Sequence, residues 1–178
     1  NIFLLDKKIL AENILKKFPH AREAAVVKHL PQQVNILVDE REPFAVFCES
    51  EGKCFFIDEM GIIFEETQEM EGKMIIKKDI AKEAILGGNS VSKDIMEAIS
   101  RIKNELEKNF QIHVAQVLIN DLLIFKTSEG WAVYVDPTAS MNAQITKLNV
   151  VLRDEIPLAT RKGIQYIYLQ YKDKAYYK

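Results

Sequence analysis

The amino-acid sequence predicts an α+β protein, and three observations carry that expectation. QVNILVDE (Gln33–Glu40) alternates Val34, Ile36 and Val38 with Gln33, Asn35, Leu37 and Asp39, the period of two expected of a strand. Two later stretches, starting near Ser92 and Ser140, place apolar residues three or four apart on charged rods, the spacing of helices that pack on a sheet. Around them lie short apolar runs separated by turn residues, which read as consecutive, antiparallel-paired strands.

Taken in order, Asp6 to Phe18 reads as a helix. Asp6 can cap it, Leu10, Ile14 and Phe18 share a face, and Pro19 ends it. EAAVVKHL is a strand, followed by a turn at Pro31 and then QVNILVDE. Pro43 interrupts, because proline fixes φ and withdraws a hydrogen-bond donor. A joint between two modules is expected there, dividing residues 1–42 from residues 43–178. Beyond it PFAVFCE, KCFFIDE and GIIFEE, joined by ESEG and DEMG turns, form a meander expected to continue with MIIKK. LGGNS, around Gly87 and Gly88, reads as a flexible connection.

The Ser92 helix extends to about Asn109, with Ile95, Ile99, Ile102 and Leu106 in its stripe. FQIHVAQVLIN, DLLIFKTS and WAVYVD follow as strands, with turns at Asn120-Asp121 and Glu129-Gly130, and Trp131 is expected to anchor the core. The second helix covers Ser140 to Arg153 through Met141, Ile145, Leu148 and Leu152. GIQYIYLQY and KAYYK close the chain as a hairpin across Lys172 and Asp173. Five of the six tyrosines fall in the last thirteen residues, and tyrosine suits a half-wet surface because it buries a ring while keeping a hydroxyl for water or a partner.

Composition narrows the function classes. With 48% hydrophobic and 28% charged residues the chain can bury a core. Its net charge of −2 is mixed along the length, without the basic excess that phosphate binding requires, so nucleic acid is not an expected partner. No apolar run approaches the ~20 residues that span a bilayer. The chain starts at Asn1 rather than Met, so it is expected to be a processed or truncated piece of a longer protein.

Motifs for chemistry are missing. No G-x-S-x-G, phosphate-binding glycine loop, H-E-x-x-H or dinucleotide fingerprint occurs. Asp39, Glu40 and Glu42 of DEREP and Asp58 and Glu59 of IDEMG could be imagined as a carboxylate pair, but acids at strand ends and turns are expected to be solvated. His113 reads as a satisfied or solvent-facing strand residue, and His20 and His29 as surface groups. Cys48 and Cys54 flank a turn in VFCESEGKCFF, where Gly52 can supply a positive φ. Opposed strand positions can approach closely enough for a disulfide; because register decides which residues are opposed, two half-buried free thiols are the expectation. A metal site on this pair would lack further ligands. No catalytic, cofactor-binding or metal-binding residue is expected.

Several stretches, in order, resemble the FtsQ/DivIB family of bacterial cell-division proteins. NIFLLDKKILAENILKKFPHAREAAVVKHLPQQVNILVDEREPFAVF is similar to the second half of the family's POTRA module running into its following domain. The carrying residues are Phe18-Pro19, Leu30-Pro31, and Glu40-Arg41 followed by Pro43 and Ala45. FFIDEMGIIF resembles the family's D-x-x-G-x-x-F hairpin through Asp58, Gly61 and Phe64; GWAVYVD followed by ITKLNVVL repeats the family's order. The tail YIYLQYKDKAYYK is similar to the closing Y-I-D-L-R-Y strand and final hairpin, except that Tyr168 and Gln170 stand where the family usually has Asp and Arg.

The resemblance implies a partial POTRA module followed by a mainly antiparallel β-domain with two packed helices. The strand and helix that open the family's POTRA module have no counterpart here. It also implies a non-enzymatic divisome scaffold on the extracytoplasmic face of the cytoplasmic membrane, at the division septum. Such a scaffold is anchored by a single upstream transmembrane helix that this chain lacks. The implied partners are FtsB/DivIC-like and FtsL-like coiled-coil proteins, docked by strand addition on an unpaired C-terminal edge formed by Tyr171, Lys172, Asp173, Lys174, Ala175, Tyr176 and Tyr177. Two other readings compete: a POTRA-bearing envelope assembly or secretion factor, and an envelope enzyme without a recognisable motif.

Overall fold

The structure, a computed structural model, describes residues 2–49, 52–78 and 83–178. Helix α1 (Lys7–Lys17) is capped as its sequence suggests, with the Asp6 carboxylate accepting from the amides of Lys8 and Ile9. It lies beside a hairpin of β1 (Ala21–His29) and β2 (Gln33–Glu40), which pair antiparallel as a two-stranded sheet. No residue of α1 is buried, and Ile36, Leu37 and Val38 of β2 are 47%, 63% and 48% exposed. The regular alternation of β2 is therefore real as a strand signal, yet neither of its faces is covered.

From β3 onward the chain builds one nine-stranded sheet. Its strands are β3 (Ala45–Cys48), β4 (Cys54–Ile57), β5 (Ile63–Thr67), β6 (Ile75–Lys78), β7 (Val114–Ile119), β8 (Leu123–Thr127), β9 (Ala132–Val135), β10 (Tyr166–Tyr168) and β11 (Tyr176–Tyr177). The spatial order is β11-β10-β9-β8-β7-β6-β3-β4-β5. The expected meander stops at β5. Instead of pairing with β5, β6 lies on the far side of β3 and runs parallel to it. β6–β7 and β9–β10 are also parallel, and the remaining five pairs are antiparallel. A parallel pair needs a long crossover, and the two predicted helices supply two of them. α2 (Lys93–Asn104, prolonged by a π-helical turn at Glu105–Asn109) connects β6 to β7; α3 (Met141–Val150, with a similar turn at Val151–Glu155) connects β9 to β10.

Both helices share one apolar cluster with one face of the sheet. Ile167, Val133, Phe125, Val117, Ile76, Phe47 and Phe55 stand side by side on seven neighbouring strands, and all are buried. Met96, Ile99, Ile102 and Leu106 from the α2 segment and Leu148, Val151 and Leu152 from the α3 segment close over them, with Trp131 in the same cluster. On the opposite face Val46, Cys48, Cys54, Phe56 and Phe64 form a smaller cluster.

That smaller cluster corrects the expectation of free thiols: Cys48 and Cys54 form a disulfide. They are directly opposed in the β3–β4 register. The next pair out, Glu49 and Lys53, is hydrogen-bonded, so the cysteines occupy a non-hydrogen-bonded position, where backbones approach most closely; their Cα atoms are 4.1 Å apart. Gly52 has φ +91° as anticipated, while Ser50 and Glu51 of that turn lie outside the described residues.

Two further expectations are corrected. LGGNS is not a loose connection: the amide of Gly87 donates to Ile63, Gly88 accepts from Ile63, and Ser90 donates to Gly61, all through backbone atoms. Gly61 is required there, since its φ is +79° and a Cβ would come within 2.5 Å of the Val91 carbonyl oxygen. Asp58 is not a solvated turn acid. It is 3% exposed, its Oδ1 accepts from the amides of Met60 and Ile62, and its Oδ2 holds Arg41 Nη1. Arg41 also donates from Nε to the Pro19 carbonyl, so a single guanidinium joins the end of the β1–β2 hairpin to the β4–β5 turn. A buried carboxylate needs such partners to offset its lost hydration.

Candidate partner-binding edge

The C-terminal tail occupies one edge of the nine-stranded sheet. β10 runs parallel to β9, pairing Tyr166 with Ala132, Ile167 with Val133 and Tyr168 with Tyr134. β11 pairs antiparallel with β10, Ile167 opposite Tyr177 and Tyr168 opposite Tyr176. The sequence suggested a longer hairpin; only these two residue pairs are formed in it as strand.

Register decides which backbone groups of β11 are available. Lys178 exchanges both of its backbone hydrogen bonds with Tyr166, its N–H at 3.2 Å and its C=O at 3.4 Å. Hydrogen-bonded and non-bonded positions alternate along an antiparallel pair, so Tyr177 is non-bonded toward β10 and its N–H and C=O turn to the open edge. Tyr176, one residue earlier, turns its backbone toward β10. At the other end of the sheet, Gly87, Gly88 and Ser90 already bond along the start of β5.

Side chains divide by the same register. Ile167 and Leu169 are fully buried on the helix-bearing face. On the open face the phenols form a connected group, with Tyr134 and Tyr168 ring centroids 4.4 Å apart and Tyr166 and Tyr168 4.6 Å apart. Desolvation, aided by Tyr134 and Tyr166, raises the Tyr168 pKa above the usual phenol value. Tyr176 continues this row across the edge, opposite Tyr168. Of the seven residues expected at the docking edge, Tyr171, Lys172, Asp173, Lys174, Tyr176 and Tyr177 are exposed, while Ala175 is half-buried against the main cluster. Tyr171 meets Tyr176 edge-on at 5.0 Å.

Two anchors that the sequence did not advertise hold this region. Lys147 of α3 donates to the backbone carbonyls of Leu169 and Tyr171. Arg161, in the connection from α3 to β10, pairs with Glu129 of the β8–β9 turn through Nε at 2.8 Å and Nη2 at 2.6 Å, and Glu129 also accepts from Trp131 Nε1 at 3.0 Å. The Arg161 hydrogen bond holds the Glu129 carboxyl below its ordinary range, against the opposing effect of burial. Neither anchor belongs to a local motif; both depend on partners more than twenty residues away.

The other candidates lie away from this edge. Asp39 pairs with exposed Arg22 at 2.5 Å, and Glu42, Asp58, Glu59 and Arg22 border a cleft of about 190 Å³. His113 is half-exposed, 3.0 Å from Glu107, and His20 lies against the Phe64 ring near Glu65. No group of His, Cys, Asp and Glu suited to a metal ion occurs among the described residues.

A mixed sheet with two crossover helices on one face and an exposed strand at one edge defines an α+β protein. No family model matches the chain. It is, however, 31% identical over 173 residues to the cell division protein DivIB of Clostridium botulinum (strain Loch Maree / Type A3). That alignment covers 92% of this chain and 65% of the relative, so the chain spans a little under two thirds of the protein it matches. The likeness supports assigning the chain to the FtsQ/DivIB family.

Proposed function

We propose that this chain is the extracytoplasmic part of a non-enzymatic cell-division scaffold, which acts at the septum and binds FtsB/DivIC-like and FtsL-like coiled-coil proteins by strand addition. The homology to DivIB supports a role in cell division. No helix among the described residues is long and apolar enough to cross a membrane, so in this reading attachment comes from a span outside this sequence. The division into residues 1–42 and residues 43–178 belongs to the same proposal. It is supported by the separate β1–β2 sheet and by the start of the nine-stranded sheet at Ala45.

The observation that carries the docking mode is the outward-turned backbone of Tyr177 on a terminal strand, with half-exposed tyrosine rings on both sides of it. An incoming extended segment would take the Tyr177 N–H and C=O for alignment and cover the rings of Tyr171, Tyr176 and Tyr177 for apolar area. The flanking Lys172, Lys174 and Lys178 would discourage indiscriminate edge pairing.

The test is calorimetric titration with the FtsB/DivIC-like protein of the same organism. Tyr177→Pro removes the outward donor and is expected to weaken binding about tenfold, since an unmatched buried carbonyl costs about 1–3 kcal/mol. Tyr176→Pro instead cuts the bond to β10 and is expected to lower the stability of the edge itself. Deleting Lys174 to Lys178 should abolish binding. If that deletion leaves both folding and affinity unchanged, the tail is not the docking edge.

A further inference from the structure

The edge is poorly supplied with bonds of its own. β11 is two residues long, and Leu169 to Ala175, which link it to β10, form no ladder pairs. At the start of this link, Leu169 is buried and its amide donates to the Tyr134 carbonyl at 2.9 Å, so this point is fixed to the sheet. Two residues later Tyr171 is already exposed. Lys147 bridges the two: its ammonium accepts no bond but donates to both carbonyls, one on the fixed residue and one on the exposed residue. Between them, the buried Gln170 Oε1 has no partner among the described residues. From Tyr171 the contact passes on, since its ring meets that of Tyr176, the first residue of β11. Lys147 is partly buried; that burial lowers its pKa, and the nearby charge of Asp173 opposes the shift.

We infer that Lys147 is a positioning residue for partner docking: by tying the carbonyls of Leu169 and Tyr171 to α3, it presets the path of the link and hence the place of β11. This rests on the reading of β11 as the docking edge. A strand presented in place spares the partner the ordering of that segment on binding. An apolar side chain of similar length cannot donate to either carbonyl, whereas a guanidinium can.

The experiment compares the full chain with Lys147→Met and Lys147→Arg, using hydrogen exchange read by mass spectrometry and calorimetry with the FtsB/DivIC-like protein. In Lys147→Met, exchange of the Tyr171–Lys178 amides is expected to rise about tenfold while β7 and β8 are unchanged, because local opening is reported separately from global unfolding. Partner affinity is expected to fall about tenfold, and Lys147→Arg to recover most of both effects. Should Lys147→Met fail to fold, Lys147→Gln, whose amide can serve one carbonyl, takes its place and is expected to show intermediate values. Unchanged tail exchange overturns the inference. So does raised exchange with unchanged affinity in a protein whose tail deletion abolishes binding, and in that case the docking edge stands. If the tail deletion itself leaves affinity unchanged, the docking reading fails, and the positioning role with it.

Discussion

The α1–β1–β2 unit and the nine-stranded sheet contain similar apolar patterns and treat them in opposite ways. In the sheet, the stripes of α2 and α3 pack on the core, fully buried at Ile99, Ile102, Leu106 and Leu148 and partly buried at Ile95, Met141 and Ile145. In the small unit, Ile9 and Phe18 of the α1 region and Val27, Ile36 and Val38 of the hairpin remain more than a third exposed. A two-stranded hairpin with one helix lacks the layers needed to cover its own apolar faces. Periodicity therefore reports that an element is amphipathic, whereas burial depends on what the rest of the fold lays against it.

Breaking the well-covered region is expected to have the largest effect. Ile99→Ala or Leu148→Ala should destabilise by about 2–5 kcal/mol in a denaturant titration, because each leaves a cavity under a helix. A loss below ~0.5 kcal/mol, the range of surface sites, would contradict their burial.

Arg41→Met should cost about 1–3 kcal/mol, less than the core variants since the Arg41 side chain keeps 17% of its exposure, by stranding the buried Asp58 carboxylate. Limited proteolysis should then cut first between Pro19 and Pro43. Resistance there equal to wild type would show that the guanidinium does not join the two regions.

A smaller, pH-dependent effect tests the Glu129–Arg161 pair. The Glu129 pKa is lower in the folded chain than in the unfolded one, so its contribution is present above the ordinary carboxylate pKa and is lost as pH falls through the folded value. Melting temperature should therefore decline less steeply below about pH 4.3 in Glu129→Gln than in wild type. Parallel curves would remove the pair from the acid sensitivity.

The smallest effect is expected in the uncovered hairpin. Ile36→Ser and Val38→Ser should change stability within about 0.5 kcal/mol, as exposed sites do. A penalty comparable with that of Ile99→Ala would mean that these faces are covered in solution.

Much of this architecture was legible from local pattern. Asp6 caps its helix, both long stripes pack on the core, and the turns at Asn120-Asp121 and Glu129-Gly130 fall between strands as spacing suggested. What sequence could not supply was pairing at a distance. Nothing within IIKK distinguishes a fourth meander strand from one that crosses β3 to pair parallel with it. The disulfide needed a register, and register needed both strands in place. The tail's tyrosine content marked it as a surface, but the outward turn of Tyr177 follows only from its pairing opposite Ile167. Nothing local to ITKLNVVL marks Lys147, whose two acceptors, the carbonyls of Leu169 and Tyr171, lie more than twenty residues further along the chain.

The two-residue length of β11 also has a mechanical meaning. If a partner docks along this strand as proposed, any pull on it reaches the β10–β11 junction first. An antiparallel junction loaded at its end opens one residue pair after another, and here the bonds of Lys178 with Gln165 and Tyr166 and the two adjoining pairs would yield in turn. The holding force of such a joint would then be set by β11 and by the lysine that ties its approach, even if the partner gripped that strand more firmly than the sheet does.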